Sequence, residues 1–391
     1  MELQRRFLSP LHQSFFLFGP RGTGKTTWLR ETFPDALTLD LLQPDIARGL
    51  LARPERLRDL VRGAPDRATV VLDEVQRAPD LLSYIQTAVD ERPAPGRFIL
   101  TGSANFALLA SVSQSLAGRT ALLNLFPLGF EEVKRFGAVP ADLDEVMWRG
   151  SYPAVFDRKP DPADWYSGYV GTYLDRDVRT LLAVGDLVAF QTFLRLAAGR
   201  VGQLVNLSAL GADAGVTHNT ARAWLSVLEA SFVAWRLPPY HANLSKRLIR
   251  TAKLHFLDTG LVCFLIGIRS PNDLRHHPLR GPIFECWVAS EILKHRAHRG
   301  RPSALSFFQD RKGHEVDVLV DRGASTIAVE AKSGQTVASD FFRGLRVFDA
   351  VTSAVEAARR VQHRIVYGGT ERQRRSGVDV LPWSAFDTSD W

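Results

Sequence analysis

Cysteine is almost missing from this chain: its 391 residues hold two, Cys263 and Cys286, and neither has a partner at metal-ligand spacing. That excludes a disulfide-stapled secreted scaffold and a cysteine-rich zinc site, and a reducing, cytoplasmic setting is expected. Long apolar runs are missing too. The longest, Leu261 to Ile268, falls well short of the roughly 20 residues a bilayer span requires. The opening Met1-Glu2-Leu3-Gln4-Arg5-Arg6 leads into no apolar h-region or cleavage site, so neither secretion nor membrane insertion is expected. Nor is there an acidic excess: 49 Lys and Arg against 42 Asp and Glu leave a net charge of +7, a balance that suits a polyanionic partner. What remains is ordinary globular material, 45% hydrophobic and 23% charged, whose length at roughly 150 residues per domain calls for two or three cores.

The strongest motif follows the apolar run Phe15-Phe16-Leu17-Phe18. It reads Gly19-Pro20-Arg21-Gly22-Thr23-Gly24-Lys25-Thr26-Thr27, a phosphate-binding loop between a strand and a helix beginning near Thr27. Glycines let backbone N–H groups turn inward around phosphates, Lys25 reaches the β and γ oxygens, and Thr26 offers a hydroxyl to Mg²⁺. A second buried-type strand, Thr69 to Leu72, delivers Asp73-Glu74 to the same sheet edge. Asp73 belongs to the Mg²⁺ shell, and Glu74 orients and deprotonates the attacking water. A third strand, Phe98 to Leu100, stops at Thr101-Gly102-Ser103-Ala104-Asn105. Ser103 is the favoured contact to the γ-phosphate or lytic water, with Thr101 and Asn105 as alternatives. Arg119 precedes a fourth strand at Thr120 to Leu125. Facing away from its own loop, it is either a surface arginine or a finger inserted into a neighbouring subunit's ATP site.

This order of parts, with Phe126-Pro127-Leu128-Gly129-Phe130-Glu131-Glu132 after it, resembles AAA-type ATPases. More narrowly, it resembles the bacterial and archaeal family of AAA ATPases with a C-terminal domain long held to be of unknown function. Gly150-Ser151-Tyr152-Pro153, the run Tyr169 to Val178 and the run Lys253 to Leu261 extend the resemblance over nearly the whole chain. It implies a sheet with the P-loop strand between the strands at Thr120 and Phe98, followed by a helical lid. Gly150 and Pro153 would be a lid element touching nucleotide, although a Gly and a Pro in a loop also serve plain turn chemistry.

Further on, Asn206 to Ala214, the turn Gly215-Val216-Thr217 and a helix with apolar Ala221, Trp224, Leu225 and Leu228 form a helix-turn-helix pattern. The run Phe232 to Leu237 and the stretch before Lys253 to Leu257 would add a wing, with Lys246, Arg247, Arg250 and Lys253 as phosphate contacts. The competing use of such a module is packing between domains or subunits.

In the last third, the helix Ile283 to Leu293 precedes strands at Ala304 to Phe308, Glu315 to Val320 and Thr326 to Lys332. Period-two alternation puts Glu315 and Asp317 on one face and Glu330 and Lys332 on another, and a turn at Asp321 to Ala324 lets the faces meet. An Asp followed by an acid-x-Lys pair resembles the restriction-endonuclease-like fold. That likeness implies Asp317 and Glu330 as metal ligands, Lys332 near the nucleophile and Glu285 completing the shell. A platform for DNA binding or subunit docking is the alternative, since fold does not imply function. His276, His277, His295 and His298 are read as surface residues.

The expected architecture is therefore α/β: an AAA-type parallel-sheet core (1–127), a helical lid (128–202), a winged helix (203–268) and a restriction-endonuclease-like domain (269–391). The expected activity is ATP hydrolysis with ATP and Mg²⁺, in a hexameric ring that remodels DNA, most specifically junction DNA in recombination or repair. A nucleotide switch docking a protein partner and an ATP-gated Mg²⁺-dependent nuclease are the alternatives.

Overall fold

The computed structural model describes residues 6–65, 68–91, 98–102, 120–136, 139–174, 186–240, 251–353 and 359–391. Contacts divide the chain into two units. One holds residues up to Pro127 together with Ala230–Phe232 and Ala297–Gly300; the other holds Leu128–Glu229, Val233–Arg296 and Arg301–Trp391.

The first unit is a five-stranded parallel sheet. Its strands are β1 (Phe15–Phe18), β2 (Leu37–Asp40), β3 (Val70–Asp73), β4 (Phe98–Thr101) and β5 (Ala121–Asn124), in the order β2-β3-β4-β1-β5. β1 thus lies between β4 and β5, as the family resemblance implied. Helices α1 (Lys25–Thr32), α2 (Pro44–Ala52), α3 (Arg56–Gly63) and α4 (Leu81–Glu91) belong to the same unit. Alternate residues of β1, β3 and β4 enter different cores. Phe16, Phe18, Leu72 and Leu100 join Leu50 and Leu57, whereas Phe15, Leu17, Val71 and Ile99 join Trp28 and Leu29. A sheet covered on both faces needs unbroken apolar strands, which is why these runs do not alternate with polar residues.

The second unit begins with helices α5 (Phe130–Arg135), α6 (Leu143–Arg149), α7 (Pro153–Asp157), α8 (Pro162–Tyr169) and α9 (Leu187–Ala198). Helices α10 (Leu207–Asp213) and α11 (His218–Ala230) follow, with Asn206 capping α10 through Ala209 N. The antiparallel pair β6 (Ala234–Leu237) and β7 (Lys253–Phe256) comes next, then α12 (Thr259–Leu265), α13 (Pro271–His276) and the 19-residue α14 (Arg280–His298).

The remainder is a mixed six-stranded sheet with helix α15 (Arg343–Ser353). Its strands are β8 (Leu305–Gln309), β9 (Glu315–Asp321), β10 (Ser325–Lys332), β11 (Arg360–Tyr367), β12 (Gln373–Arg375) and β13 (Val378–Pro382), in the order β12-β13-β11-β10-β9-β8. The β9–β10 turn falls at the expected residues: Gly323 has a φ of 76° and its N–H donates to Asp321 Oδ1 at 2.7 Å. Two surface readings are corrected here. His295 and His298 are buried, because α14 is packed along most of its length and its polar residues find partners inside.

Candidate functional site

The P-loop runs from the end of β1 into the first turn of α1. Gly22 and Gly24 have φ of 79° and 85°, a left-handed backbone that glycine adopts without strain. Gly19 is constrained differently, since a Cβ there would lie 2.1 Å from the Leu125 carbonyl oxygen. Lys25 is buried, and its ammonium donates to the carbonyls of Gly19 at 2.8 Å and Pro20 at 3.0 Å. Thr23 Oγ1 also donates to Pro20, at 3.0 Å. Arg21 is half-buried, and Gly22 and Thr27 are exposed.

At the end of β3, buried Asp73 accepts from Thr26 Oγ1 at 2.8 Å on one oxygen and from Thr101 Oγ1 on the other. Thr26 and Asp73, expected to share the Mg²⁺ shell, are therefore already together, and the hydroxyl of Thr26 and the carboxylate of Asp73 are hard oxygen donors suited to that ion. The P-loop residues fit a nucleotide with its metal. Glu74 follows with a φ of 61°, a conformation that costs a non-glycine residue on the order of 1–3 kcal/mol and recurs at functional sites. Its Oε2 accepts from Gln76 Nε2 at 2.5 Å. Sequence reasoning passed over Gln76 and ranked Thr101 behind Ser103. Ser103, Asn105 and Arg119 lie outside the described residues, as do Lys246, Arg247 and Arg250.

A second constellation lies in the other unit, where α14 supplies Glu285, β9 supplies Glu315 and Asp317, and β10 supplies Glu330 and Lys332. The β9–β10 register pairs Val329 with Val318 and, continued by one residue, sets Glu330 opposite Asp317. Asp317 Oδ2 accepts from the Ala331 amide at 2.8 Å. Oxygens of Glu285, Glu315 and Asp317 lie within 4.8 Å of one another. Glu330 stands beside this set, paired with Lys332 at 2.6 Å. Burial pushes the Glu285 carboxyl up to about 8, against the pull of Lys253. Burial also raises Glu315, and it raises Glu330 well above the usual carboxylate range.

Lys253 is a correction. Expected among the exposed cations of a wing, it is 4% exposed, and its ammonium sits among these carboxylates. It is 2.7 Å from Glu285 Oε1, in contact with Glu315 and 3.9 Å from Asp317. Burial opposes its charge, but Glu285, Asp317 and Glu315 outweigh burial and hold the ammonium above its ordinary range. A divalent ion does not fit between the three carboxylates while Lys253 stands there. Neighbouring His255 is wholly buried and stacked on Trp235. Burial, then the charge of Lys253, brings it down to about 3, so it is neutral at physiological pH.

The Gly-Ser-Tyr-Pro segment has a place of its own. Asp258, the N-cap of α12, accepts from Ser151 N at 2.7 Å, Ser151 Oγ at 2.9 Å, Tyr166 Oη at 2.5 Å and Leu261 N at 2.8 Å. Lys294 Nζ donates to Ser151 Oγ at 2.8 Å and Glu291 Oε1 at 2.9 Å, while Tyr152 Oη donates to Tyr169 Oη at 2.9 Å. Gly150 has a φ of 72°, and a Cβ there would fall 2.0 Å from the Tyr166 hydroxyl. Two segments that carried the family resemblance, Gly150 to Pro153 and Lys253 to Leu261, thus meet around one buried carboxylate, and Tyr169 of the third joins them through Tyr152.

Comparison with known proteins divides the chain into three matched stretches. Residues 12–134 match an AAA domain, 140–272 a domain of unknown function (DUF8612) and 280–386 a domain of unknown function (DUF4143). Uncharacterized proteins of Mycobacterium tuberculosis and Mycobacterium bovis are each 30% identical over 375 residues, spanning 94% of this chain and 79% of theirs. An uncharacterized protein of Haemophilus influenzae is 24% identical over 187 residues, 44% of this chain and 47% of its own. Among solved structures, a signal transduction ATPase with numerous domains from Pyrococcus horikoshii is 11% identical and aligns with 74% of this chain at a TM-score of 0.22. PCH-2 of C. elegans is 16% identical and aligns with 56% at 0.21. This chain spans 46% and 61% of those two. No helix among the described residues is long and apolar enough to cross a membrane. The chain belongs to the family of these mycobacterial proteins, and its own make-up is an AAA domain followed by two domains of unknown function.

Proposed function

We propose that the chain hydrolyses ATP at its P-loop and uses the cycle to work on DNA, remodelling junctions in the most specific form of this reading. The convergence of Thr26 and Thr101 on the two oxygens of Asp73 carries the hydrolytic part. It fixes the carboxylate that, with Thr26, would hold Mg²⁺ beside a P-loop lysine, and phosphoryl transfer depends chiefly on such positioning and charge. In this reading Lys25 neutralises the β and γ oxygens, Glu74 orients the water, and Ser103 contacts the γ-phosphate. Arg119 enters the next subunit's site in a hexameric ring, since head-to-tail contacts close into rings. The net charge of +7 supports a polyanion as the object. With Lys253 committed to the interior, Lys246, Arg247 and Arg250 are left as phosphate contacts. The C-terminal domain serves as a platform rather than a nuclease, because an ammonium stands where catalytic metal would be held.

The test is steady-state ATP turnover without DNA, with linear duplex and with a four-way junction, beside Lys25→Ala and Glu74→Gln. Both variants should lose about 10²-fold or more in rate, and junction DNA should stimulate the native chain with a steep salt dependence. Sedimentation of the Glu74→Gln chain with ATP and Mg²⁺ should report a six-chain mass. Equal turnover under all three DNA conditions would replace the motor with a nucleotide switch that docks a protein.

A further inference from the structure

The carboxylate cluster around Lys253 draws its acids from two segments, α14 and β9, and its ammonium from a third, β7. β7 is fixed firmly: Leu254 N donates to Gln203 O at 2.9 Å, Gly202 N donates to Leu254 O at 2.7 Å, and Lys253 pairs with Leu237. Its ammonium also lies 5.4 Å from the centre of the Phe307 ring. Rigid delivery of one cation to a point shared by Glu285, Glu315 and Asp317 is what a metal ion would otherwise supply. Oxygens within 4.8 Å of one another are spaced so that one ion with oxygen contacts of about 2.0–2.6 Å can touch all three.

The ammonium leaves part of the site unserved. Glu330 Oε2 has no hydrogen-bond partner, and Glu330 is 6% exposed. Neither nitrogen of His255 has one either, at 0% exposure, and His255 Nε2 faces Glu285 Oε1 at 3.9 Å. Buried polar atoms left unpaired each cost roughly 1–3 kcal/mol, which an ordered water would relieve. An ammonium has three protons to donate; a hydrated divalent ion has more positions to fill and carries water to atoms that its direct bonds do not reach.

We propose that Lys253 is a resident counter-ion that takes the place of a divalent ion among Glu285, Glu315 and Asp317, so that the native chain binds no Mg²⁺ or Mn²⁺ there. This inference is independent of the nucleotide reading. Carboxylate oxygens at the convergence point bind whichever cation is present, and an ammonium tethered by its own strand holds the place without a free-ion concentration to maintain it.

The experiment measures Mn²⁺ binding to the full chain without nucleotide, by calorimetry and by electron paramagnetic resonance. Native chain, Lys253→Met, Lys253→Arg, Asp317→Asn and the double variant Lys253→Met/Asp317→Asn are compared. Lys253→Met should gain one Mn²⁺ per chain at least about tenfold tighter than any background in the native protein. Lys253→Arg should not gain it, and Asp317→Asn should remove the gain. Mn²⁺ should also raise the melting temperature of Lys253→Met but not of the native chain. If Lys253→Met fails to fold, Lys253→Met/Glu315→Gln, with one charge fewer to compensate, is judged by the same readouts. A folded variant that binds no more Mn²⁺ than the native chain would overturn the proposal. So would a native chain whose own Mn²⁺ binding falls on Asp317→Asn, since the site would then be open beside Lys253.

Discussion

Thr101 is a small residue with a large share in the nucleotide site. Wholly buried at the end of β4, it gives its hydroxyl proton to Asp73 while Thr26 holds the other oxygen, so the carboxylate is fixed from two sides. A hydrogen bond to a charged group is worth about 1.5–3 kcal/mol. Thr101→Val keeps the volume and removes the bond. We expect kcat for ATP to fall about tenfold or more with little change in KM, read by steady-state turnover, and an unchanged kcat would reduce Thr101 to packing. Sequence alone ranked Ser103 above it, because composition does not show where a strand leaves the sheet and which hydroxyl is level with Asp73.

Segments show most clearly what the sequence made legible. The P-loop strand, the strand ending in Asp73 and the β9–β10 turn stand where apolar runs and turn residues placed them. Each is set by local chemistry. β7 was misread because its Lys-Leu-His-Phe alternation looks like a half-exposed wing, whereas all four residues are buried; period two shows that faces differ, not what covers them. Glu315 was placed on the face of Asp317 but left out of the site, since what draws it in is a lysine distant in sequence. The N-terminus of α12 gives an element-scale prediction. Asp258→Ala leaves two backbone amides and a tyrosine hydroxyl without their acceptor, and buried polar atoms left unpaired cost roughly 1–3 kcal/mol apiece. A melting temperature lower by several degrees is expected in thermal unfolding followed by circular dichroism, with Asp258→Asn intermediate.

For the whole molecule, the two thiols set an alkaline limit. Burial pushes Cys286 up to about 12, and burial followed by the charge of Asp258 pushes Cys263 up as well. An unfolded thiol loses its proton near 8.5, so above that pH the folded chain binds more protons than the unfolded one. Stability from these groups is complete below about pH 8.5 and declines as pH rises towards 12. Both thiols should resist alkylation at pH 8 in the native chain and react fully once it is unfolded. The fall in melting temperature between about pH 9 and 11 should shrink in Cys263→Ala/Cys286→Ala.

The six residues from Lys253 to Asp258 send one charge to the C-terminal carboxylates and another to Ser151 and Tyr166. The border between the two matched domains of unknown function, at 272 and 280, is therefore a border in sequence only. Severing the chain there would strand an ammonium in one fragment and its acids in the other.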